Sequence, residues 1–424
     1  MELKEYKLGD IAEIVNGSTP TTTCPHYYDG DIVWITPKDL SEQKSKYIEK
    51  GERNITEAGF NSCSTHLIPK YNILLTSRAP IGLLAINKVA CCTNQGFKNL
   101  IVNKDIVDVD YLYYYLKYHI AEIEALGTGT TFKEVSKASM EKYTVSLPDL
   151  EEQKKVSRIL SALDAKISLN RQINQNLEAL ARQLYDYWFV QFDFPDANGK
   201  PYKSSGGKMV YNPILKREIP EGWDGVVLRD VIQHINTGLN PRDNFTFGGE
   251  IKYITVKNLT KDGYIDFSSC DTIDEDARCK VHTRSQIEVG DILYASICPL
   301  GRTYLITEEP NDWDINESVF SIRPNYKKIT SEYLNMLLKD DYYIAKLSNS
   351  STGSIFLGIR IKQLESTQIL LPSYNILSAF TKQIKDIVRL QANNYQQILS
   401  LTKQRDELLP LLMNGQVNFD LSDD

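Results

Sequence analysis

The chain has 424 residues, of which 42% are hydrophobic and 24% are charged, and its formal net charge is −7. These proportions are those of ordinary globular proteins, and they exclude a disordered tail and a collagen-like chain. The length predicts two to three domains, and the acidic charge by itself argues against nucleic-acid binding.

The sequence contains no signal for a membrane or for a metal. No uncharged apolar run is long enough for a transmembrane helix, and residues 1–8 alternate charged and apolar side chains, unlike a signal peptide. We therefore expect a cytoplasmic protein that does not enter a membrane. The seven cysteines form no Cys-x-x-Cys pair and the five histidines are scattered, which favours reduced thiols over disulfides or a metal site.

The first 145 or so residues predict a mixed α/β domain. Short segments rich in β-branched residues and bounded by Gly, Pro or Asn predict strands at 32–36, 73–77 and 100–103. Residues 110–126 predict a helix that Gly127 ends. Its apolar side chains recur at helical spacing, at Leu112, Leu116, Ile120 and Ile123.

Two long helices are predicted, and each carries a coiled-coil seam with steps of three and four residues. In the first helix, Asp149 is the predicted N-cap, and the seam runs through Val156, Leu160, Leu163, Ile167, Asn170, Ile173, Leu177, Leu180, Leu184 and Trp188. In the second helix, Pro410 is expected to kink or end the helix, and the seam runs through Phe380, Ile384, Ile387, Gln391, Asn394, Ile398, Leu401, Arg405, Leu408 and Leu412. Polar seam residues are expected to fix register and partner.

The chain repeats itself after about 220 residues, in the same order throughout. The matched segments are 8–17 and 228–237, 35–40 and 254–259, 73–82 and 292–301, 111–117 and 333–339, 128–132 and 352–356, and 147–148 and 371–372. The repeat predicts an α+β protein in which two mixed α/β domains are joined by two long antiparallel coiled-coil helices about a pseudo-twofold axis. The expected boundaries are a first head at 1–148, a helix at 149–193, a linker at 194–218, a second head at 219–372, a helix at 373–415 and a tail at 416–424.

Motifs for catalysis are missing from the sequence. The segment 127–132 begins like a dinucleotide-binding loop but follows a helix and ends in Phe132, which is the wrong context. Asp149 with 152–154 resembles a nuclease triad only faintly, and helix capping explains it better. A binding protein without enzymatic activity of its own is therefore expected.

Several short segments, in duplicate and in order, carry a family resemblance. They are 8–11, 127–132, 147–153, 184–190, 219–223 and 408–417. With the repeated architecture, they resemble the specificity subunit of Type I restriction-modification enzymes over nearly the whole chain. Each segment alone is a weak signal, and their order makes the resemblance specific.

The resemblance implies a role in sequence recognition on double-stranded DNA. The two heads would be target-recognition domains that each read one half of a bipartite, asymmetric target. The helices would set the gap between the half-sites and dock two methyltransferase subunits, which supply S-adenosylmethionine and methylate adenine. Motor-nuclease restriction subunits would join for cleavage, and this chain would bind no cofactor itself.

Candidate DNA contacts come from small polar loops and from basic side chains. The loop 128–133 and its counterpart 352–356 could approach phosphates or base edges closely, or could be plain helix-to-strand turns. Two matched lysines are expected to contact phosphates, and two arginines in similar loops could read guanine; a solvated surface role is the alternative for all four. The predicted DNA-binding residues are Lys38, Arg78, Thr128, Thr130, Thr131, Lys133, Lys257, Arg302, Thr352, Ser354 and Arg360.

Contacts with partner subunits are expected along the helices, although core packing explains the aromatic residues equally well. The predicted interface residues are Leu177, Leu184, Trp188, Phe189, Ile398 and Leu408. Two other classes of function remain open. A free-standing DNA-binding regulator would bind duplex DNA without a methyltransferase, and a coiled-coil scaffold would show no salt-dependent DNA binding.

Overall fold

A computed structural model describes residues 2–43, 45–129, 133–240, 245–350 and 358–416. The chain divides into two compact units, Met1–Arg171 with Gln397–Asp424, and Gln172–Gln396. Each unit contains a mixed α/β head and one segment of each of two long helices. None of the helices in the described ranges combines the length and the apolarity needed to cross a bilayer.

Among its described residues, the first unit begins with ten strands and six short α-helices. The strands are β1 (Lys4–Lys7), β2 (Ala12–Asn16), β3 (Tyr28–Ile35), β4 (Tyr47–Ile48), β5 (Arg53–Ile55), β6 (Ile73–Ser77), β7 (Ile81–Asn87), β8 (Cys92–Thr93), β9 (Lys98–Val102) and β10 (Thr144–Leu147). The helices are α1 (Leu8–Ile11), α2 (Pro37–Glu42), α3 (Glu57–Asn61), α4 (Val109–Tyr118), α5 (Ile120–Ala125) and α6 (Lys137–Lys142). The predicted strands are confirmed by β3, β6 and β9.

The long helix α7 (Leu150–Tyr185) follows and leads into the second unit. The second unit has the strands β11 (Met209–Asn212), β12 (Arg217–Pro220), β13 (Asp224–Val227), β14 (Ile232–Thr237), β15 (Ile251–Ile254), β16 (Asp271–Ile273), β17 (Ile292–Ala295), β18 (Thr303–Leu305), β19 (Trp313–Ile315), β20 (Val319–Pro324) and β21 (Gln368–Leu371). Its helices are α8 (Glu275–Ser285), α9 (Ser331–Leu338), α10 (Asp341–Ser350) and α11 (Ile361–Glu365), and the long helix α12 (Tyr374–Met413) begins in this unit.

The sheets of the two heads match strand for strand, except that β4, at the edge of the first head's large sheet, has no counterpart in the described sheets of the second head. The first has the strand orders β2-β9-β6-β7-β4, β5-β3-β8 and β1-β10, and the second has β14-β20-β17-β18, β16-β15-β19 and β13-β21. In both three-stranded sheets the central strand pairs antiparallel on one side and parallel on the other. The sequence repeat is therefore a repeat of structure. The helix α8 follows β16 as the shorter α3 follows β5, and the hairpin β11–β12 precedes β13 in the second unit.

The helix predicted at 110–126 is two helices in the structure. Asp108 caps α4 by accepting a hydrogen bond from the Tyr111 backbone N–H at 2.9 Å. The backbone then leaves the helical conformation at His119, where ψ is 19°, and α5 begins at the next residue. Apolar spacing continues across the break, so periodicity alone predicts one uninterrupted helix.

The long helices begin and end close to the predicted residues. Asp149 accepts a hydrogen bond from the Glu152 backbone N–H at 2.9 Å, which confirms it as the cap of α7. A π-helical turn at Asp186–Val190 ends α7. Pro410 lies inside α12, which continues to Met413, so the proline does not end the helix at its own position.

Within each unit the two helix segments pair antiparallel. In the first unit Asp164 binds Arg405 and Asn170 binds Gln397, so that the chain numbers run in opposite directions. The α12 seam is confirmed, but the α7 seam is wrong at two positions. Ile173 and Leu180 are exposed, because the buried side of α7 passes through the residues that follow them, Asn174 and Ala181.

Asn174 is buried in the seam because its polar atoms have partners on α12. Its Nδ2 donates to the Gln391 backbone oxygen at 3.1 Å, and its Oδ1 accepts from Asn394 Nδ2 at 2.9 Å. Gln391 Nε2 also donates to Glu178 at 3.1 Å. Buried polar groups specify a pairing when all of them are satisfied, because a shifted register would leave them without partners.

A buried lysine joins the first head to its helices. Lys46 Nζ lies 2.6 Å from Asp110 Oδ1 on α4 and 2.7 Å from Ser161 Oγ on α7. Tyr114 donates to Asp164 at 2.6 Å, and Asp164 in turn pairs with Arg405 on α12. Because a buried charge is stable only when it is paired and hydrogen-bonded, this network fixes the head on both helices of its unit.

The end of α12 forms part of the first head's core, which predicts a strong and local effect of mutation. Leu412 is 1% exposed in a cluster with Leu8 and Leu112, whereas its neighbour Leu411 is 39% exposed. We expect Leu412→Ala to lower the free energy of unfolding of the first head by about 2–5 kcal/mol, through lost burial and a cavity.

Hydrogen exchange of the β6 amides measures this free energy. The matched variant Leu411→Ala should change it by less than about 0.5 kcal/mol. Equal effects of the two substitutions would contradict the assignment of Leu412 to the core.

The polar seam generates a second prediction. Asn174→Ala should destabilise the second unit by about 1–3 kcal/mol, because it leaves the Asn394 amide and the Gln391 carbonyl without their partners. Exchange of the β17 amides reports this change. Ile173→Ala, one residue away on the exposed side, is the control and should be nearly neutral; a larger effect of Ile173→Ala would restore the seam predicted from the sequence.

Candidate nucleic-acid interface

A loop after β6 forms the centre of the candidate site in the first head. The Ser77 backbone N–H donates to the Gly96 carbonyl at 2.7 Å, and the Ser77 carbonyl accepts from the Val135 backbone N–H at 3.0 Å. These bonds hold the segment after β6 between two neighbouring stretches of chain. Arg78 follows directly, with a side chain that is 36% exposed.

Arg78 shares a carboxylate with a buried lysine. Lys98 Nζ lies 3.1 Å from Glu134 Oε1, and Arg78 Nη1 lies 3.6 Å from Glu134 Oε2. The Lys98 side chain is only 8% exposed, and its Nζ also lies 3.4 Å from Ser77 Oγ. One carboxylate therefore lies between two cations, and the group keeps a net positive charge at an exposed loop.

The predicted loop 128–133 lies beside this cluster where it is described. Thr128 and Glu134 exchange two backbone hydrogen bonds of 3.0 Å, and Lys133 is exposed. Thr130 and Thr131 lie outside the described residues. The sequence prediction stopped one residue before Glu134 and missed Lys98, which lies on β9.

Lys38 is presented by a capped turn close to the same loop. Thr36 donates from its backbone N–H and from its hydroxyl to Asp39, at 2.7 and 2.6 Å. Lys38 is exposed and donates to Glu52 at 2.7 Å, and this hydrogen bond raises the pKa of the lysine ammonium. A Cβ on Gly96 would lie 3.2 Å from Pro37 Cγ and 3.8 Å from Arg78 Cγ, which places the start of α2 beside the loop.

The second head repeats this framework. The Ser296 backbone N–H donates to the Ser318 carbonyl at 3.0 Å, and the Ser296 carbonyl accepts from the Ile359 backbone N–H at 2.8 Å. The lysine turn is repeated as well, because Thr255 donates twice to Asn258, at 2.8 and 2.9 Å. Lys257, within that turn, is exposed.

Different side chains occupy equivalent positions of the two frameworks. Ile297 follows Ser296 as Arg78 follows Ser77, and Gly358 precedes Ile359 as Glu134 precedes Val135. Phe320 takes the place of Lys98, since Ile292 pairs with Ile322 as Ile73 pairs with Leu100. The first head thus has a charged loop where the second has an apolar one.

The remaining predicted residues of the second head are less clustered. Arg302 Nη1 donates to the Leu259 carbonyl at 3.0 Å, and its side chain is half-buried. The framework makes Ile297, and not Arg302, the counterpart of Arg78. Arg360 is exposed at the start of α11, where its backbone N–H donates to Gln363 at 2.7 Å. Thr352 and Ser354 lie outside the described residues.

The predicted interface residues fall into two groups. Trp188 and Phe189 are buried in the core of the second unit, where the Phe189 ring lies 4.6 Å from the Tyr333 ring and 4.8 Å from the Phe380 ring. The others lie in or beside the helix seams, with Ile398 buried and Leu177, Leu184 and Leu408 half-buried. Their role in docking stays a prediction.

The described residues show no cluster of three or more side chains that could hold a metal ion. All seven cysteines are free thiols, and Cys91 and Cys92 are buried. Burial raises the pKa of both thiols, that of Cys92 to about 11. Reactive thiolates need a lowered pKa, so these two cysteines are structural.

Comparison with known proteins identifies the family. The model described as Type I restriction modification DNA specificity domain matches residues 1–179 and 220–408. The MjaIX specificity subunit of Methanocaldococcus jannaschii is 34% identical over 97% of this chain and 92% of its own, and the HindI specificity subunit of Haemophilus influenzae is 24% identical over 98% and 99%. The crystal structure of a Type I restriction-modification S subunit from M. genitalium shares the fold, with a TM-score of 0.56 at 15% identity over 97% of this chain and 96% of that one. The chain belongs to the family of Type I restriction-modification specificity subunits.

Proposed function

We propose that this specificity subunit reads a bipartite, asymmetric DNA target, one half with each head. The observation that carries the proposal is the loop framework, which the two heads build with equivalent backbone hydrogen bonds but fill with different side chains. Base sequence is read by side chains at base edges, whereas the backbone frame positions them. One frame with two sets of side chains therefore supports two different half-sites.

The long helices set the number of base pairs between the half-sites and dock two methyltransferase subunits. In each unit, polar contacts fix how the helix segments pair, as between Asn174 and Asn394 and between Asp164 and Arg405. A pairing held by such contacts resists slippage along the seam. A fixed register is what a spacer of defined length requires.

Partner subunits supply the chemistry in this proposal. The methyltransferase subunits bind S-adenosylmethionine and methylate adenine in each half-site, and motor-nuclease subunits join for cleavage of double-stranded DNA. The chain itself contributes recognition. Its acidic net charge of −7 fits this division because exposed lysines such as Lys38 and Lys257 give local phosphate contact, and partner subunits carry the remainder.

The test is to co-express the chain with the neighbouring methyltransferase gene and to map methylated adenines across the genome. We expect one bipartite motif with methylation in both halves. Exchange of residues 1–148 for the first head of another family member should then change one half of the motif. A chain that binds duplex DNA without the methyltransferase and yields no motif would be a regulator, and one without salt-dependent DNA binding would be a scaffold.

The matched lysines give a separate prediction about affinity. In the assembled complex, Lys38→Gln and Lys257→Gln should each weaken binding to target and non-target duplexes by the same factor. The slope of log K against log salt should fall by about 1 for each lost phosphate contact.

Lys88→Gln is the matched control for this series. Lys88 is exposed and pairs with Glu49 at 2.7 Å, as Lys38 pairs with Glu52. It follows the last residue of β7, however, whereas the Arg78 loop precedes the first residue of that strand. It should leave the salt slope unchanged. If a lysine variant weakened binding to the target duplex but not to non-target duplexes, that lysine would read a base instead of contacting a phosphate.

A further inference from the structure

Position 78 and its counterpart 297 differ in chemistry but not in setting. Both follow a serine whose backbone N–H and carbonyl are held by equivalent hydrogen bonds, and both side chains reach the surface. Arg78 is half-buried, with 36% of its side chain exposed, and Ile297 is exposed. A shared setting with exchanged chemistry is the pattern expected of a position that selects different bases.

In the first head, Glu134 orients Arg78 without accepting a hydrogen bond from the Arg78 guanidinium. The distance of 3.6 Å from Arg78 Nη1 to Glu134 Oε2 is that of an ion pair and is longer than a hydrogen bond. Lys98 Nζ lies 3.1 Å from the other carboxylate oxygen and holds it in place. The guanidinium keeps its fork of N–H donors, which fits the O6 and N7 acceptors of guanine in the major groove.

In the second head, a glycine makes room for Ile297 where the first head has Glu134. Ile297 and Gly358 form an antiparallel bridge. A Cβ on Gly358 would lie 3.2 Å from Ile297 Cγ2 and 3.2 Å from the Ser296 carbonyl oxygen, which is tighter than ordinary contact. Ile297 therefore projects as an apolar group with no acidic neighbour at that position, and the matching feature of a base edge is the C5-methyl group of thymine.

We infer that residues 78 and 297 are the equivalent specificity-determining positions of the two heads. Arg78 reads a guanine in one half-site, Ile297 reads a thymine methyl group in the other, and Glu134 is a positioning residue that acts through Arg78. This inference rests on the proposed function, since it assumes that both heads contact base edges.

The experiment maps methylated adenines for the co-expressed complex with wild-type and variant chains. Arg78→Ala should lower discrimination for guanine at one position of one half-site by about 5- to 150-fold. Ile297→Ala should relax a thymine position in the other half-site by a smaller factor, about 2- to 5-fold, because it removes only a few apolar contacts.

Glu134→Gln tests the positioning role. It should relax the same position as Arg78→Ala, and the double variant should discriminate no worse than Arg78→Ala alone, because Glu134 affects base reading only through Arg78. A merely structural role would lower thermal stability without a change at that position. Lys88→Ala and Glu49→Gln remove an exposed ion pair of the same head and should leave the motif unchanged.

Failure of the inference differs from failure of the proposed function. A wild-type complex without any motif would overturn the proposed function. Suppose instead that the wild-type complex yields a motif. The inference alone would be overturned if Arg78→Ala and Ile297→Ala left that motif intact, relaxed positions in the same half of it, or weakened methylation uniformly. Some variant complexes could bind DNA too weakly for methylation to be detected. For these, discrimination is measured by equilibrium binding to the target duplex and to duplexes that differ from it at one base pair.

Discussion

The pairing of the two long helices is the constraint on which the rest of the structure depends. Each helix segment has one apolar side, and in each unit it is buried against a segment of the other helix, which comes from a distant part of the sequence. The end of α12 also enters the core of the first head, where Leu412 and Met413 join Leu8. The first head, its loop and its buried Lys46 network are therefore fixed by residues near both ends of the chain.

The candidate interface shows how one frame accepts different recognition chemistry. The loop is held by the backbone groups of Ser77 and Ser296, and those bonds do not depend on the side chain that follows. The side chain at this position changes together with its neighbours, since Arg78 lies beside Glu134 whereas Ile297 lies beside Gly358. In the first head, burial of the Lys98 ammonium is unfavourable by itself, and its ion pair with Glu134 offsets this energy. Glu134 thus serves both the stability of the first head, through Lys98, and the position of Arg78.

Sequence reasoning succeeded where local pattern decides the structure. The strand at 73–77 and the cap at Asp149 follow from neighbouring residues, and the repeat follows from short segments matched about 220 residues apart. It failed at Ile173 because an apolar residue next to Asn174 looks like the better seam position; only the partners on α12 make the asparagine the buried one. Glu134 and Lys98 were missed for a related reason. A strand and a loop bring them together, and neither segment alone indicates the contact.

The division of the helices between the units has a consequence for synthesis on the ribosome. The second unit is one continuous stretch, Gln172–Gln396, whereas the first needs residues on both sides of that stretch. At about 5–20 residues per second, translation of the intervening stretch takes roughly 10–45 s. During that time the first head has emerged but lacks the part of its core that α12 supplies. The unit that is made first is therefore the one completed last, because Leu409, Leu412 and Met413 join its core only after the second unit has been made.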